Sequence, residues 1–218
     1  TLPNPRGQGG SEVRSPSSPL MLAEERSRCR SDWRPVAALE AHSGDFIFKK
    51  INNSGSPIWV NSDNGHTLQF TDVISGSGSL INRNNTYSKF SATNTVTGNF
   101  YINEGEVWIE ENCGFASSIS FDVGSSSRMG DVAKLLMTDL NGGTTISNGI
   151  TVQNGNTDTR YIGAVNTSGT NTFSGNITLN RYVNLEASQL NGKVEFSGVI
   201  SGSHGIDKIG VGTVVFSG

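Results

Sequence analysis

Two side chains in this sequence have types that could carry out acid–base chemistry: Asp158 in Asn156-Thr-Asp158 and His204 in Ser203-His-Gly205. Inverting hydrolysis of a glycosidic bond needs one carboxylic acid and a second carboxylate that activates water. The sequence between the two motifs contains no pair of adjacent aspartates, and no Arg-Ile-Lys follows the second motif. The acidic partner for such a reaction is therefore missing, and the sequence predicts no catalytic residue.

A second group of candidates is acidic and surrounds one tryptophan, Trp108. The carboxylates of this group are Glu104, Glu106, Glu110 and Glu111. Carboxylates can bind cations and an indole can stack on a sugar ring, so a binding surface is one interpretation. The favoured interpretation is a solvated strand face with one packed tryptophan. Trp59 and Tyr182 present the same choice, and packing between strands is again favoured over ligand contact.

Other site motifs are absent or incomplete. The histidines are isolated, and neither Cys29 nor Cys113 joins them at a zinc-ligand spacing. No nucleophile elbow and no phosphate-binding loop is present. Gly202-Ser-His-Gly-Ile-Asp207 partly matches a calcium-binding nonapeptide, but such sites need consecutive copies. The sequence therefore predicts no metal site and no cofactor.

The composition favours a repetitive β protein over an ordinary globular domain. Of 218 residues, 27 are glycine, 34% are hydrophobic and only 16% are charged. Short apolar stripes between polar corners are typical of a solenoid, in which each coil buries little and stacking completes the core. The net charge of −3 gives no reason to expect nucleic acid. No export signal is visible in the chain, which begins at Thr1.

The chain divides into two segments of different character. Residues 1–43 are rich in proline and arginine, and they predict a disordered leader or a misframed segment. Residues 44–218 consist of short segments that alternate apolar and polar residues, such as Pro57-Ile-Trp-Val and Glu106-Val-Trp-Ile, separated by Asn-Gly and Ser-Gly turns. They predict strands with one buried face. Residues 131–139 alone predict a short helix.

Two internal repeats support a coiled architecture. In the first repeat, Asn94-Thr-Val-Thr-Gly-Asn-Phe matches Asn171-Thr-Phe-Ser-Gly-Asn-Ile. In the second repeat, Leu68-Gln-Phe-Thr-Asp-Val-Ile-Ser-Gly-Ser matches Val194-Glu-Phe-Ser-Gly-Val-Ile-Ser-Gly-Ser. The offsets between the copies share no simple large period, and they fit a coil of roughly 20–25 residues with loops of variable length.

The C-terminal segment from Phe196 to Gly218 resembles the autotransporter-associated β-strand repeat. Lys208, Gly210 and Gly212-Thr213 fall on that family's Lys-x-Gly-x-Gly-Thr pattern, and Asn94-Thr-Val-Thr-Gly and Asn171-Thr-Phe-Ser-Gly match its Asn-Thr-Tyr-Thr-Gly turn. In Gly76-Ser-Gly-Ser-Leu-Ile-Asn82, asparagine replaces the lysine. The resemblance implies a right-handed parallel β-helix, pectin-lyase-like, cut off at the C-terminus.

The same resemblance implies a function and a location. Repeats of this kind belong to passenger regions that are exported to the bacterial surface or outer membrane, or are secreted. We expect a non-catalytic structural or adhesive scaffold that contacts surface polysaccharide or extracellular matrix, with membrane attachment only through a C-terminal barrel or anchor not seen in this chain. The alternative is a polysaccharide-degrading enzyme, because Asn156-Thr-Asp158 resembles a polygalacturonase motif and those hydrolases share the β-helix fold.

Overall fold

A computed structural model describes residues 37–41, 45–53, 55–62, 66–110, 118–121, 132–155 and 159–218. Within these ranges the protein is all-β and contains no helix. The strands, in chain order, are β1 (Ala37–Ala41), β2 (Phe46–Phe48), β3 (Ile51–Asn53), β4 (Ile58–Ser62), β5 (Thr67–Phe70), β6 (Ile74–Gly76), β7 (Leu80–Arg83), β8 (Tyr87–Phe90), β9 (Phe100–Ile102), β10 (Gly105–Ile109), β11 (Ile119–Phe121), β12 (Val132–Met137), β13 (Thr145–Ile146), β14 (Ile150–Val152), β15 (Thr159–Ala164), β16 (Thr170–Phe173), β17 (Ile177–Leu179), β18 (Val183–Ala187), β19 (Lys193–Phe196), β20 (Ile200–Gly202), β21 (Ile206–Ile209) and β22 (Thr213–Phe216).

The strands stack into a parallel β-solenoid with three sides. The first face is an eight-stranded sheet of β1, β4, β7, β9, β11, β14, β17 and β20, and the second face has β2, β5, β8, β10, β12, β15, β18 and β21 in that order. The third side is formed by β3–β6 and by the four-stranded sheet β13–β16–β19–β22. Every strand pair described is parallel, which confirms the predicted all-β, parallel β-helix fold.

Alternation along each strand directs one set of side chains into the solenoid. In β10, Gly105, Val107 and Ile109 are buried, whereas Glu106 and Trp108 between them are only half-buried. The same pattern in β4, β5, β7 and β8 sends Val60, Leu68 and equivalent residues into a common core. Each coil buries only a few apolar residues, so the core becomes continuous only through stacking.

Aromatic side chains form two stacks inside the solenoid. Phe70 lies between Phe48 and Phe90 with ring-centroid distances of 5.3 and 4.7 Å, and Phe90 meets the edge of Phe100 at 5.5 Å. A second stack joins Phe173, Phe196 and Phe216 in successive coils. These contacts add to simple area burial because offset and edge-to-face ring pairs are favourable in themselves.

The first repeat marks equivalent places in the solenoid. Phe100 and Ile177, one in each copy, lie on the first face three strands apart, so the offset of the repeat corresponds to three coils. Individual coils differ in length. Phe100 pairs with Ile119, and Ile119 pairs in turn with Ile150, so the first of these two coils is much shorter than the second.

The second repeat occupies places that are not equivalent. Leu68 lies in β5 on the second face, whereas its counterpart Val194 lies in β19 on the third side. The Ile-Ser-Gly that follows forms β6 on the third side in one copy and β20 on the first face in the other. The motif therefore describes a strand, a corner and a strand that fit at two different corners.

Asparagines that begin both copies of the first repeat connect neighbouring coils. The buried Asn94 side chain accepts a hydrogen bond from the backbone N–H of Ile74 at 3.0 Å, one coil earlier. Asn171, also buried, accepts one in the same way from Thr144 at 3.1 Å. A buried backbone donor left without a partner is costly, so these amides stabilise the contact between neighbouring coils.

Of two predictions about the organisation of the chain, the helix is wrong and the N-terminal leader stays a prediction. The helix predicted at 131–139 is wrong: Val132–Met137 forms β12, which pairs with β10 and β15 on either side. Hydrogen bonds to two neighbouring strands outweigh the modest helix propensity of Ala-Lys-Leu-Leu-Met. The solenoid also includes β1, before the boundary predicted at residue 44, and residues 1–36 lie outside the described ranges.

Candidate functional site

A cavity of about 430 Å³ lies on the outside of the second face and opens to solvent. We call it the Trp108 groove. Its polar lining consists of Lys89, Glu106, Glu110 and Thr138, and its apolar lining of Trp108, Leu136, Leu140 and Val165. These residues come from β8, β10 and β12 and from the segments that follow β10, β12 and β15. The groove therefore crosses four neighbouring coils.

Strand alternation places the groove residues on the outer surface. Because Val107 and Ile109 of β10 point into the core, Glu106, Trp108 and Glu110 point outward from the same segment. Parallel register then brings residues of other coils beside them. Trp108 pairs with Lys89 of β8 and with Leu136 of β12, and Glu106 pairs with Lys134.

Leu136 forms an apolar floor to the groove. By its place in β12 it faces outward, yet only 5% of its surface is exposed. Its register partner on the next coil is Gly163, which has no side chain to fill the space above the sheet. Leu140 beside it keeps 53% exposure. The groove thus contains accessible apolar surface next to its charged groups.

Both glutamates of the groove are paired with lysines. Lys89 Nζ lies 2.6 Å from Glu110 Oε1, and Lys134 Nζ lies 3.2 Å from Glu106 Oε1. Lys134 also lies over the ring of Tyr161, 4.8 Å from its centroid. The two pairs stand on either side of Trp108. Because the charges cancel within each pair, the groove carries little net charge.

The Trp108 ring is held in one orientation from two sides. Its indole N–H donates to Glu106 Oε2 at 3.0 Å. Tyr87, from the preceding coil, meets it edge-on with ring centroids 5.9 Å apart. Since Glu106 is itself fixed by Lys134, the position of the indole depends on residues from three coils. An aromatic ring fixed in this way loses little conformational entropy when it binds a ligand.

The acidity of Glu110 depends on Lys89. Partial burial raises the pKa of Glu110, but hydrogen bonds with Lys89 and Ser91 and the charge of Lys89 outweigh that effect, and the pKa lies below its ordinary 4.5. A carboxyl group whose folded-state pKa is lowered stabilises the fold above its unfolded-state pKa. This contribution is lost as the pH falls through the lowered folded-state value.

We therefore expect Lys89→Met to raise the pKa of Glu110, because only the hydrogen bond with Ser91 then opposes the effect of burial. Carboxyl-carbon NMR titration of the wild type and the variant measures the change. Glu195, on the third side and away from Lys89, serves as the reference carboxyl. An unchanged Glu110 titration would show that the ion pair does not set its acidity.

The four glutamates predicted as one patch do not form one. Glu106 and Glu110 line the groove, and Glu111 lies outside the described residues. Glu104 is buried, with 1% exposure, so its interpretation as a solvated residue is wrong. Its Oε2 accepts the backbone N–H of Asn84 at 2.8 Å, within a corner where Asn84 and Asn85 adopt left-handed conformations. Glu104 therefore shapes a corner between the first and second faces.

The catalytic candidates are not brought together among the described residues. Asp158 lies outside the described ranges, as do the two cysteines, Cys29 and Cys113. His204 is exposed near the last strands, where its Nδ1 lies 3.1 Å from the hydroxyl of the adjacent Ser203. His204 does not line the Trp108 groove.

The two other aromatic candidates have protein partners. Trp59 packs under Arg83, whose guanidinium carbon lies 4.4 Å from the ring centroid. Tyr182 forms a hydrogen bond with Asp207, which raises the pKa of the phenol together with desolvation and the charge of that carboxylate. Packing, the favoured interpretation, describes Trp59, whereas Tyr182 remains 42% exposed on the outer face.

Sequence reasoning missed the residues that complete the groove. Lys89, Thr138, Leu140 and Val165 come from coils before and after β10, at distances along the chain that vary with loop length. Only the strand register shows which of them meet Trp108. The one usable signal was the outward position of Trp108 itself in an alternating strand.

Further observations limit the kinds of site present. In the part of the chain that the structure describes, no three His, Cys, Asp or Glu side chains group as a metal site would require. Within the same residues, no helix has the length and apolar character to cross a membrane.

Comparison of the chain with known protein families, characterised proteins and solved structures gives no match. The fold and the Trp108 groove define a parallel β-solenoid with an open outer groove.

Proposed function

We propose that this protein is a non-catalytic β-solenoid scaffold of the autotransporter-passenger type, displayed on the bacterial surface or secreted. The observation that carries the proposal is that the repeat-like C-terminal segment forms a coil of the solenoid. From Phe196 to Gly218 it makes one full coil, with β20, β21 and β22 paired to β17, β18 and β19. The segment that resembles the repeat therefore closes one coil of the solenoid, from Phe196 to its register partner Phe216.

The glycines of that segment support its assignment as a repeat. Gly210 has a φ of +77°, a left-handed conformation that favours glycine. A Cβ at Gly212 would lie 2.4 Å from the carbonyl oxygen of Gln189 in the preceding coil. Both positions on which the family pattern places glycine thus need glycine for a physical reason. Lys208, which falls on the lysine of the pattern, is exposed in β21 just before them.

Carboxylate geometry in the groove argues for a scaffold over a hydrolase. Glu106 and Glu110 are four residues apart along one extended segment, which places their Cα atoms about 13 Å from each other. Glycosidase pairs instead converge, with carboxyl groups about 5–5.5 Å or 6.5–9.5 Å apart. Each of the two glutamates also forms an ion pair with a lysine, Glu110 with Lys89 of β8 and Glu106 with Lys134 of β12.

Two measurements test this proposal separately. The purified chain is incubated with pectin, homogalacturonan, xylan and cellulose, and new reducing ends and unsaturated products are measured; we expect none. In the source cells, external protease and an antibody against the chain report its exposure, and we expect cleavage without lysis. Products from any polymer would favour the polysaccharide-degrading enzyme, and full protection of the chain in intact cells would contradict the surface location.

A further inference from the structure

We propose that the Trp108 groove binds a segment of a neutral polysaccharide, with a sugar ring stacked on the indole. The proposal goes beyond the scaffold function, because a stalk or spacer needs no ligand site. It rests on the shape of the groove, on the chemistry of its lining and on the pairing of its charges.

The dimensions of the groove suit a short stretch of an extended chain. Its volume of about 430 Å³ lies within the roughly 300–1,000 Å³ of small-molecule sites. It crosses four neighbouring strands, and the three spacings of about 4.8 Å between them make a length of about 14 Å along the solenoid. Because the groove opens to solvent, a segment of a polymer can enter it from outside the solenoid.

The lining provides both types of contact that a sugar ring needs. The apolar face of a pyranose can stack on Trp108 and contact Leu136 and Leu140, while its hydroxyls exchange hydrogen bonds with Glu106, Glu110 and Lys89. Trp59 differs from Trp108, since Arg83 lies over its ring. Of the tryptophans that the structure describes, Trp108 is the one that lines the groove.

Charge pairing favours a neutral ligand over a charged one. An anionic polymer would need a cation without a partner, but Lys89 is paired with Glu110 at 2.6 Å and Lys134 with Glu106 at 3.2 Å. A cationic polymer would need a free carboxylate, and both glutamates are already used. Hydroxyl groups can hydrogen bond to ion pairs without breaking them, so a neutral polyhydroxyl chain matches the groove best.

Isothermal titration calorimetry of the full chain tests the proposal. The probes are cellohexaose, xylohexaose, maltohexaose and mannohexaose as neutral oligomers, with oligogalacturonate and oligoglucosamine as charged ones. We expect at least one neutral oligomer to bind and Trp108→Ala to weaken it about tenfold or more, because the stacking surface is removed. Trp108→Phe, which keeps a ring, should retain most of the affinity.

The matched control is Trp59→Ala, which removes an indole from the first face and should change the affinity less than about twofold. Circular dichroism of each variant confirms that the solenoid is intact. The proposal is overturned if no neutral oligomer binds at millimolar concentration, if only charged oligomers bind, or if Trp108→Ala binds as the wild type does. New reducing ends in the titrated samples would contradict the non-catalytic function and leave the binding site in place.

Discussion

Phe90→Ala is expected to lower the free energy of unfolding by about 3–5 kcal/mol, the range for removing a buried phenylalanine from a packed core. Phe90 is fully buried, stacks on Phe70 at 4.7 Å and meets the edge of Phe100 at 5.5 Å. The substitution leaves a cavity between two faces and interrupts the aromatic stack. Collapse into that cavity is limited because β8, which carries Phe90, is held in register by β5 on one side and by β10 on the other.

Urea unfolding followed by far-UV circular dichroism measures this loss. The matched control is Phe216→Ala, which removes the same side chain from β22, where the ring is 54% exposed and has one stacked neighbour at 5.9 Å. We expect the control to cost about 1 kcal/mol or less, since much of that surface is already in water. Equal losses of unfolding free energy in the two variants would show that Phe90 in the inner stack stabilises the fold no more than the exposed Phe216 does.

Gly105→Ala is the second large expected effect, a loss of about 2–5 kcal/mol from backbone strain and overpacking. Gly105 begins β10 with a φ of +82°, and a Cβ there would lie 2.3 Å from the carbonyl oxygen of Thr86. That oxygen accepts the N–H of Glu106 at 2.9 Å, so the two coils cannot separate without losing the hydrogen bond. Neither the backbone nor the corner can accommodate a methyl group.

The control for this variant is Gly149→Ala. The nearest atom to a Cβ at Gly149 is the carbonyl oxygen of Asn176 at 3.8 Å, an ordinary contact, and the φ is not in the left-handed range. We expect a change of about 0.5 kcal/mol or less, with a small gain if restriction of the unfolded chain dominates. Thermal unfolding of both variants decides the matter, and a similar midpoint for the two would contradict the strain argument.

Gly105→Ala also connects the fold to the Trp108 groove. Gly105 precedes Glu106 and Trp108, so a shift of the corner would move the carboxylate that orients the indole. The groove therefore depends on a corner that requires glycine and on two ion pairs that join different coils. A β-solenoid can hold such a site rigidly because the inner strands of the coil are paired above and below.

Periodicity along the chain was enough to predict the class of fold. Alternation in segments such as Glu106-Val-Trp-Ile identified strands with one buried face, and the structure places β10 there with Val107 and Ile109 in the core. The first repeat reflects a true structural equivalence, because its Asn94 and Asn171 form the same hydrogen bond at the same corner. These features are local, and local pattern determines them.

The same local signals failed where neighbours decide the outcome. Val132–Met137 has a composition that suits a helix, yet it is a strand because β10 and β15 supply hydrogen bonds on both edges. The two copies of the second repeat have nearly identical residues, yet they lie at places in the solenoid that are not equivalent. A short apolar segment fits any buried strand of a solenoid, so its side is chosen by the lengths of the loops around it.

The sequence by itself determined that this protein consists of short strands with one buried face and polar corners, since each segment contains its own side-chain alternation and turn residues. Only the tertiary structure decided that Lys89, Trp108 and Leu136 lie side by side and form a groove. The coil from Phe100 to Ile119 is much shorter than the coil from Ile119 to Ile150, so no fixed spacing along the chain identifies neighbours across coils. Neighbours across coils are set by register, and register depends on loops that carry no regular period.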